Sequence, residues 1–217
     1  MSTEEIIQQT IRFVKKELQN AEGGHDWRHI ERVYKNAMHI ARSEKVNHLV
    51  IRLAALLHDI ADAKFNEGNE NAGPEKARRF LESLQLEKET IDHVENIIRH
   101  ISFKGGNFKG QFYSDEFAVV QDADRLDALG AIGIARAFNY GGFTNRKIYD
   151  PAVKPDLQMT KDAYKKSTAP TINHFYEKLL LLKDRMNTES GKKIAEARHV
   201  FMEKFLEEFY AEWNGEK

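Results

Sequence analysis

Cysteine is absent from the 217 residues of this chain, and proline occurs only 4 times. The absence of cysteine excludes disulfide bonds, thiolate metal ligands and a cysteine nucleophile. A chain of this length can bury a core that is stable without disulfides or structural zinc. The composition therefore suits a reducing compartment.

An excess of charge of one sign is also missing. The 33 lysines and arginines nearly balance 34 acidic residues, for a net charge of -1. A general nucleic-acid-binding protein usually carries a basic excess, so we expect no nucleic-acid partner. No apolar run is as long as a membrane span, and the N-terminus MSTEEIIQQT lacks the basic-then-apolar order of a signal peptide. We expect a cytoplasmic protein without a membrane partner.

Strand-like alternation with a period of two is not convincing anywhere in the chain. Nearly every segment instead repeats its apolar residues with the helical period, which predicts an all-α fold. The predicted helices run from about Thr3 to Leu18, through HDWRHIERVYKNAMHIAR, from Asn47 as N-cap to HDIADAKF, from Pro74 onward, from about Glu89 to Ile101, and through FAVVQDADRLDALGAIGIARAF.

The C-terminal third has the pattern of an αα-hairpin. Its two apolar stripes are Ile172, Phe175, Leu179, Leu182 and Met186, then Ile194, Phe201, Phe205 and Phe209. We expect this hairpin to pack on the body of the domain or on a second subunit, in which case the chain would form a homodimer.

Two segments rich in glycine, lysine and aromatic residues interrupt the helical pattern, at Lys104–Asp115 and Asn139–Asp156. One interpretation is that both are surface connectors. The other is that they overhang a pocket, because irregular loops on a rigid scaffold often carry binding residues.

A histidine and a carboxylate stand side by side where the apolar third helix ends, at His58 and Asp59. Burying both groups is costly unless something pairs with them, and a metal ion is one such partner. A hydrogen-bonded core histidine followed by a capping aspartate explains this pair equally well.

Two histidines lie near the start of the second helix, His25 and His29, four residues apart. Histidines at that spacing can bind one metal ion together. Alternatively, His25 and Asp26 form the helix entry and only His29 faces a site.

Three aspartates interrupt the apolar stretch VVQDADRLDALGAIG: Asp122, Asp124 and Asp127. Buried carboxylates need cations, hydrogen bonds or a metal ion as compensation. Arg125 can neutralise one of them in a purely structural ion-pair network, but one arginine is few for three acids.

The order His29, then His58–Asp59, then Asp124 resembles the H…HD…D signature of the HD-domain metal-dependent phosphohydrolase superfamily. This resemblance extends over most of the chain. Within the superfamily, the sequence is similar to a bacterial branch typified by YedJ and YpgQ. The resemblance rests on HDWRHIERV, AALLHDIADAKF, IIRHISFKG, VVQDADRLDALGAIGIAR and NHFYEKLLLLKDRMNTESGKKIAEAR. The resemblance implies a single HD-type helical bundle over residues 1–217, with a core at about 20–145 and the hairpin at about 170–214 packed on it.

The resemblance also implies that one divalent metal ion is held by His29, His58, Asp59 and Asp124. The choice of Asp124 over Asp122 rests on the resemblance alone. A mixed nitrogen and oxygen site of this kind suits Mn²⁺, Mg²⁺, Co²⁺, Ni²⁺ or Fe²⁺. Such an ion polarises a phosphoryl oxygen and lowers the pKa of a bound water.

Asp62 lies three residues after Asp59 and either activates the attacking water or simply caps the helix end. The candidate substrate-binding residues are Arg32, Lys64, His100 and Lys104. His100 either donates to a substrate phosphate, extends the metal site or is a hydrogen-bonded core histidine.

The expected activity is hydrolysis of a small phosphorylated molecule, a nucleotide or deoxynucleotide, by a pyrophosphohydrolase or a phosphomonoesterase. One alternative is a regulatory module that binds a nucleotide without turnover. Another is a di-iron HD oxygenase, which needs further histidines just after the HD helix. Residues Ala61–Thr90 contain none, which disfavours the oxygenase.

Overall fold

A computed structural model describes residues 1–19, 26–61, 69, 71–101, 112–159, 163 and 167–217. Helices are the only regular secondary structure in those ranges, which confirms the all-α prediction. They are α1 (Thr3–Glu17), α2 (Trp27–Ile40), α3 (His48–Leu57), α4 (Ala72–Ser83), α5 (Lys88–Ile101), α6 (Asp115–Asp127), α7 (Gly130–Phe143), α8 (Thr171–Glu177), a 3₁₀-helix (Leu179–Arg185) and α9 (Glu189–Trp213).

Residues 1–124 and 125–217 form two compact units, and the boundary between them falls inside α6. The prediction of one domain with a C-terminal hairpin packed on its core stays a prediction. Among the described residues, no helix combines the length and apolar character that crossing a membrane requires.

The first unit is built around α3, which packs against α1, α2 and α5. Its residues Val50, Ile51 and 53–57 are all buried, and Arg52 is the one polar side chain in this stretch. Any polar residue that follows directly at the C-terminal end of α3 is therefore carried into the interior of the unit.

Several helices begin at a residue whose side chain caps the first turn. Asn47 caps α3 as predicted, because its side chain accepts hydrogen bonds from the backbone N–H groups of Leu49 and Val50. The prediction that Pro74 starts a helix was wrong by two residues, since α4 begins at Ala72. Proline is tolerated within the first turn because those N–H groups have no acceptor inside the helix.

The sixth predicted helix is two helices, so the prediction of one continuous helix was wrong. The chain leaves the helical conformation at Leu129, which is extended with φ -116° and ψ 158°. Gly130 follows with φ +70°, a left-handed conformation that favours glycine. Across this break, a Cβ added to Gly133 would lie 2.2 Å from the carbonyl oxygen of Ala128. The two glycines thus permit the break.

The predicted loop at Asn139–Asp156 begins too early, because α7 continues to Phe143. The predicted loop at Lys104–Asp115 also needs a correction at its end, since Asp115 is the first residue of α6. Residues 104–111 of that loop lie outside the described residues.

The C-terminal stripes were predicted with mixed success. Ile172, Phe175, Leu179, Leu182 and Met186 are all buried, although they lie on α8, on a 3₁₀-helix and, for Met186, just after it rather than on one α-helix. On α9 the predicted stripe was wrong at Phe201, which is 50% exposed, whereas Ile194, Phe205 and Phe209 are half-buried. The fully buried residues are Gly191, Ala195, His199, Met202 and Leu206. The helical period was therefore right, but its phase is shifted by one residue.

We predict that Gly133→Ala lowers the free energy of unfolding by about 1–3 kcal/mol, because the new methyl group meets backbone rather than a flexible side chain. Gly142→Ala is the matched control in the same helix, since a Cβ there would have no neighbour within 4 Å. We expect that control to raise the free energy of unfolding by up to about 1 kcal/mol. Chemical denaturation checks both values, and an equal response of the two variants would contradict the close approach at the break.

Candidate metal centre

His58 and Asp59 follow directly after α3, so the buried helix carries both into the interior. The His58 side chain is 5% exposed and that of Asp59 is 16% exposed. His58 Nδ1 lies 3.0 Å from the carbonyl oxygen of Ala55. Since a carbonyl oxygen only accepts, Nδ1 carries the proton, and Nε2 of the neutral ring carries the lone pair. The fold thus presets His58 in the tautomer in which Nε2 can bind a metal.

Helix α2 brings His29 to the same place. Asp26 caps this helix by accepting a hydrogen bond from the backbone N–H of His29 at 3.0 Å, which fixes where the helix begins. The His29 side chain is 3% exposed, and its Nε2 lies 3.3 Å from His58 Nε2. It lies 3.9 Å from Asp59 Oδ2.

Helix α6 supplies the fourth group. Asp124 Oδ1 lies 3.5 Å from Nε2 of His29 and 3.8 Å from Nε2 of His58. One residue earlier, the carbonyl oxygen of Ala123 accepts a hydrogen bond from the Asn36 side chain at 3.3 Å, which ties α6 to α2. The two histidines and two aspartates named by the signature are therefore brought together within the first unit.

The chemistry of these side chains fits a divalent metal ion. Atoms that all accept hydrogen bonds repel one another unless a proton or a cation lies among them. Ligand atoms about 2.1 Å from one ion and at right angles to each other would be about 3 Å apart. The separations of 3.3–3.9 Å are slightly wider than that. The donor atoms of His29, His58 and Asp59 all lie within 4.8 Å of one another, so this cluster could hold an ion.

Asp122 and Asp127, the other aspartates of the motif, are both buried. Asp127 Oδ2 lies 2.7 Å from Nη1 of Arg136, which also donates to the Asp127 carbonyl oxygen. Burial lowers the pKa of the nearby Arg198 guanidinium, and the Asp127 charge acts in the opposite direction.

Sequence reasoning considered Arg125 as the neutralising residue and missed Arg136. In the structure Arg125 donates to the carbonyl oxygen of Arg185. The pair Asp127–Arg136 crosses the break between α6 and α7. An unbroken helix would place residues nine apart on different turns, so the prediction of one helix concealed this pair.

Arg32 and His100 are the candidate substrate-binding residues that the structure describes. Arg32 is half-buried on α2, about one turn after His29. His100 lies in the last turn of α5, and its Nδ1 donates to the carbonyl oxygen of Asn96 at 2.8 Å. His25, Asp62, Lys64 and Lys104 lie outside the described residues.

The end of α5 lies against α6 close to the cluster. The Ile101 carbonyl oxygen accepts a hydrogen bond from the Gln121 side chain at 3.5 Å. Gln121 precedes Asp124 by about one helical turn, a rise of about 5 Å. The carbonyl oxygen at the end of α5 therefore contacts α6 about one helical turn before Asp124, and the role of His100 in phosphate binding stays a prediction.

Comparison with known proteins shows to which family the chain belongs. The family model described as "HD domain" matches residues 26–129, a range that includes His29, His58, Asp59 and Asp124. The Bacillus subtilis protein YpgQ, named only as an uncharacterized protein, is 36% identical over 195 residues, which cover 89% of this chain and 87% of YpgQ. The chain belongs to the HD domain family.

Solved structures of similar proteins match nearly the whole chain. An HD-superfamily hydrolase from Bacillus thuringiensis is 46% identical with a TM-score of 0.78, covering 98% of this chain and 99% of that protein. A Lactobacillus plantarum protein is 37% identical with a TM-score of 0.84, and the match covers 99% of this chain and 100% of that protein. The structure of YpgQ in complex with ADP is 33% identical with a TM-score of 0.78, and the match covers 98% of this chain and 97% of YpgQ.

We predict that Arg136→Met lowers the free energy of unfolding by about 3 kcal/mol, because it removes the arginine that pairs with the buried Asp127 carboxylate at 2.7 Å. Arg28→Met is the matched control, since the Arg28 side chain is 71% exposed and pairs with Glu31 on the surface. We expect the control to change stability by at most about 1 kcal/mol. Denaturation and Mn²⁺ titration check both variants. A loss of metal affinity in Arg136→Met without a loss of stability would show that Asp127 serves the metal site instead.

Proposed function

We propose that this HD domain protein is a metal-dependent phosphohydrolase that acts on a small phosphorylated molecule, a nucleotide or deoxynucleotide. The observation that carries the proposal is the approach of His29, His58 and Asp124 to within 3.3–3.8 Å of one another, with Asp59 3.9 Å from His29. These four residues would hold one divalent ion. When bound, such an ion supplies a Lewis acid for phosphoryl oxygens and acidifies the attacking water.

The side chains of the cluster differ in exposure, which gives the site an open side. The Asp124 side chain is 36% exposed, whereas that of His29 is 3% exposed. Water and phosphate oxygens would therefore reach the cluster past Asp124. Asp62 is proposed to orient and deprotonate the attacking water, and because it lies outside the described residues this role stays a prediction.

Cationic side chains near the cluster would offset the charge of a phosphate group. The proposed set is Arg32, Lys64, His100 and Lys104. The Nδ1–H of His100 is already donated to the Asn96 carbonyl oxygen. His100 can therefore donate a second hydrogen bond, from Nε2 to a phosphate oxygen, only when both ring nitrogens are protonated.

A nucleotide is the favoured substrate class because the relative YpgQ was crystallised in complex with ADP. That observation supports recognition of a nucleoside linked to phosphates. It is compatible with release of pyrophosphate from a triphosphate, with hydrolysis of a monophosphate, and with nucleotide binding without turnover.

A screen of purified protein tests the proposal directly. Nucleoside and deoxynucleoside mono- and triphosphates are incubated with Mn²⁺, Mg²⁺, Co²⁺, Ni²⁺ or Fe²⁺, and phosphate and pyrophosphate are measured separately. We expect turnover of at least one nucleotide, with pyrophosphate as product from a triphosphate. Nucleotide binding without either product would support the regulatory module, and two tightly bound irons per chain would support the oxygenase.

We further predict that His58→Ala or Asp59→Ala weakens Mn²⁺ binding by more than about 100-fold and abolishes turnover, because each removes a proposed ligand. His48→Ala is the matched control, since His48 is exposed at the opposite end of α3. Calorimetric titration with Mn²⁺ measures binding apart from activity.

Asp62→Ala separates catalysis from metal binding in the same series. We expect it to retain Mn²⁺ affinity while the rate falls by about 10²–10⁴-fold, the usual contribution of a general base. Full activity in Asp59→Ala would be incompatible with the proposed site.

A further inference from the structure

His100 has one contact that its proposed role in phosphate binding does not explain. Its ring stacks on Phe112, with ring centroids 5.4 Å apart and planes 27° apart. Phe112 lies three residues before the start of α6, whereas His100 lies in the last turn of α5. The stacking therefore joins the end of α5 to the segment that leads into α6.

The Phe112 ring also contacts two further aromatic rings. Its ring meets the edge of Phe117, on the first turns of α6, at a centroid distance of 5.9 Å and an angle of 83°. It also meets His93, two turns before His100 on α5, at 6.0 Å and 76°. His93 is in turn bonded to Ser114 at 2.8 Å, and Ser114 accepts the backbone N–H of Phe117. The Phe112 ring therefore has a supported position along one face of α5.

A histidine ring has two side-chain torsions to fix, and the second is broad because it joins sp³ and sp² atoms. The hydrogen bond from Nδ1 to the Asn96 carbonyl restrains one edge of the His100 ring. Stacking on Phe112 restrains the plane of the ring. Together these two restraints set the direction in which Nε2 points.

We propose that Phe112 is a positioning residue, which holds the His100 ring so that Nε2 meets a phosphate oxygen of the nucleotide. This inference rests on the proposed function, since it assumes that His100 contacts phosphate. Aromatic pairs contribute enough free energy to change affinity by about threefold to tenfold. Loss of the Phe112 ring should weaken phosphate binding by that factor.

A double-mutant cycle distinguishes positioning from general packing. Phe112→Leu removes the ring and keeps apolar bulk, Phe112→Tyr keeps the ring, and each is made in the wild-type and the His100→Gln background. ADP is the probe, titrated calorimetrically with Mn²⁺ present. Tyr113→Ala is the matched control, because the neighbouring Tyr113 is 66% exposed.

We expect Phe112→Leu to weaken ADP binding about threefold to tenfold in the wild-type background. It should have no further effect once His100 is glutamine, because the group that it positions is then gone. Phe112→Tyr and Tyr113→Ala should bind ADP as the wild type does. Equal affinities for Phe112→Leu and Phe112→Tyr would overturn the inference, as would an undiminished effect of Phe112→Leu in the His100→Gln background. Failure of the wild-type protein to bind ADP would also overturn it.

A second measurement needs neither metal nor nucleotide. In the wild type, the ring current of Phe112 should displace the NMR resonances of the His100 ring protons. These resonances are assigned by their absence from the spectrum of His100→Gln. Phe112→Leu should return them toward the positions of an unstacked histidine, and unchanged resonances would overturn the inference. If these shifts and the ADP cycle behave as expected while no nucleotide is hydrolysed, the proposed turnover fails but the positioning role stands.

Discussion

The approach of two imidazole rings and two carboxylates where α2, α3 and α6 meet is the interaction on which the candidate site depends. The second half of α3 is apolar and buried, so it delivers His58 into a region from which water is largely excluded. His58 Nε2 then faces His29 Nε2 at 3.3 Å. Such an arrangement is unfavourable without a positive charge or a proton between the rings. The cluster of His29, His58 and Asp59, with Asp124 of α6 beside it, could therefore hold a cation.

The residues that preset this arrangement act locally. Asp26 fixes the first turn of α2, and the Ala55 carbonyl fixes the tautomer of His58. Asn36 then links α2 to α6 beside Asp124. Each restraint is a single hydrogen bond worth about 0.5–1.5 kcal/mol. Together they fix where α2 begins, how the His58 ring is oriented and how α6 lies against α2.

Much of this could be predicted from the sequence, because the relevant signals are local. Asn47 is a good N-cap, and a histidine and an aspartate at the end of an apolar helix need a partner. The break at Leu129 was missed because it depends on the close approach of Gly133 to the Ala128 carbonyl, a contact that the helical period does not encode. The pairing of Asp127 with Arg136 was missed for the same reason.

The phase of α9 shows a different limit. Periodicity marks a face of a helix, but neighbouring positions on that face are hard to tell apart when both carry apolar residues. Phe201 and Met202 are adjacent, and only the packing of the second unit shows that Met202 is buried while Phe201 is half exposed. A prediction from hydrophobicity favours large aromatic side chains for the buried face, whereas the residues that are buried are those whose shape packs in the interior.

The uneven exposure of the cluster has a kinetic consequence. For an ion held by these four side chains, the deep ligand His29 is 3% exposed and the outer ligand Asp124 is 36% exposed. An arriving ion would meet the exposed carboxylate of Asp124 before the buried imidazoles. Exchange of such an ion with solution would therefore pass Asp124, whereas the buried imidazoles would favour ions that accept nitrogen ligands.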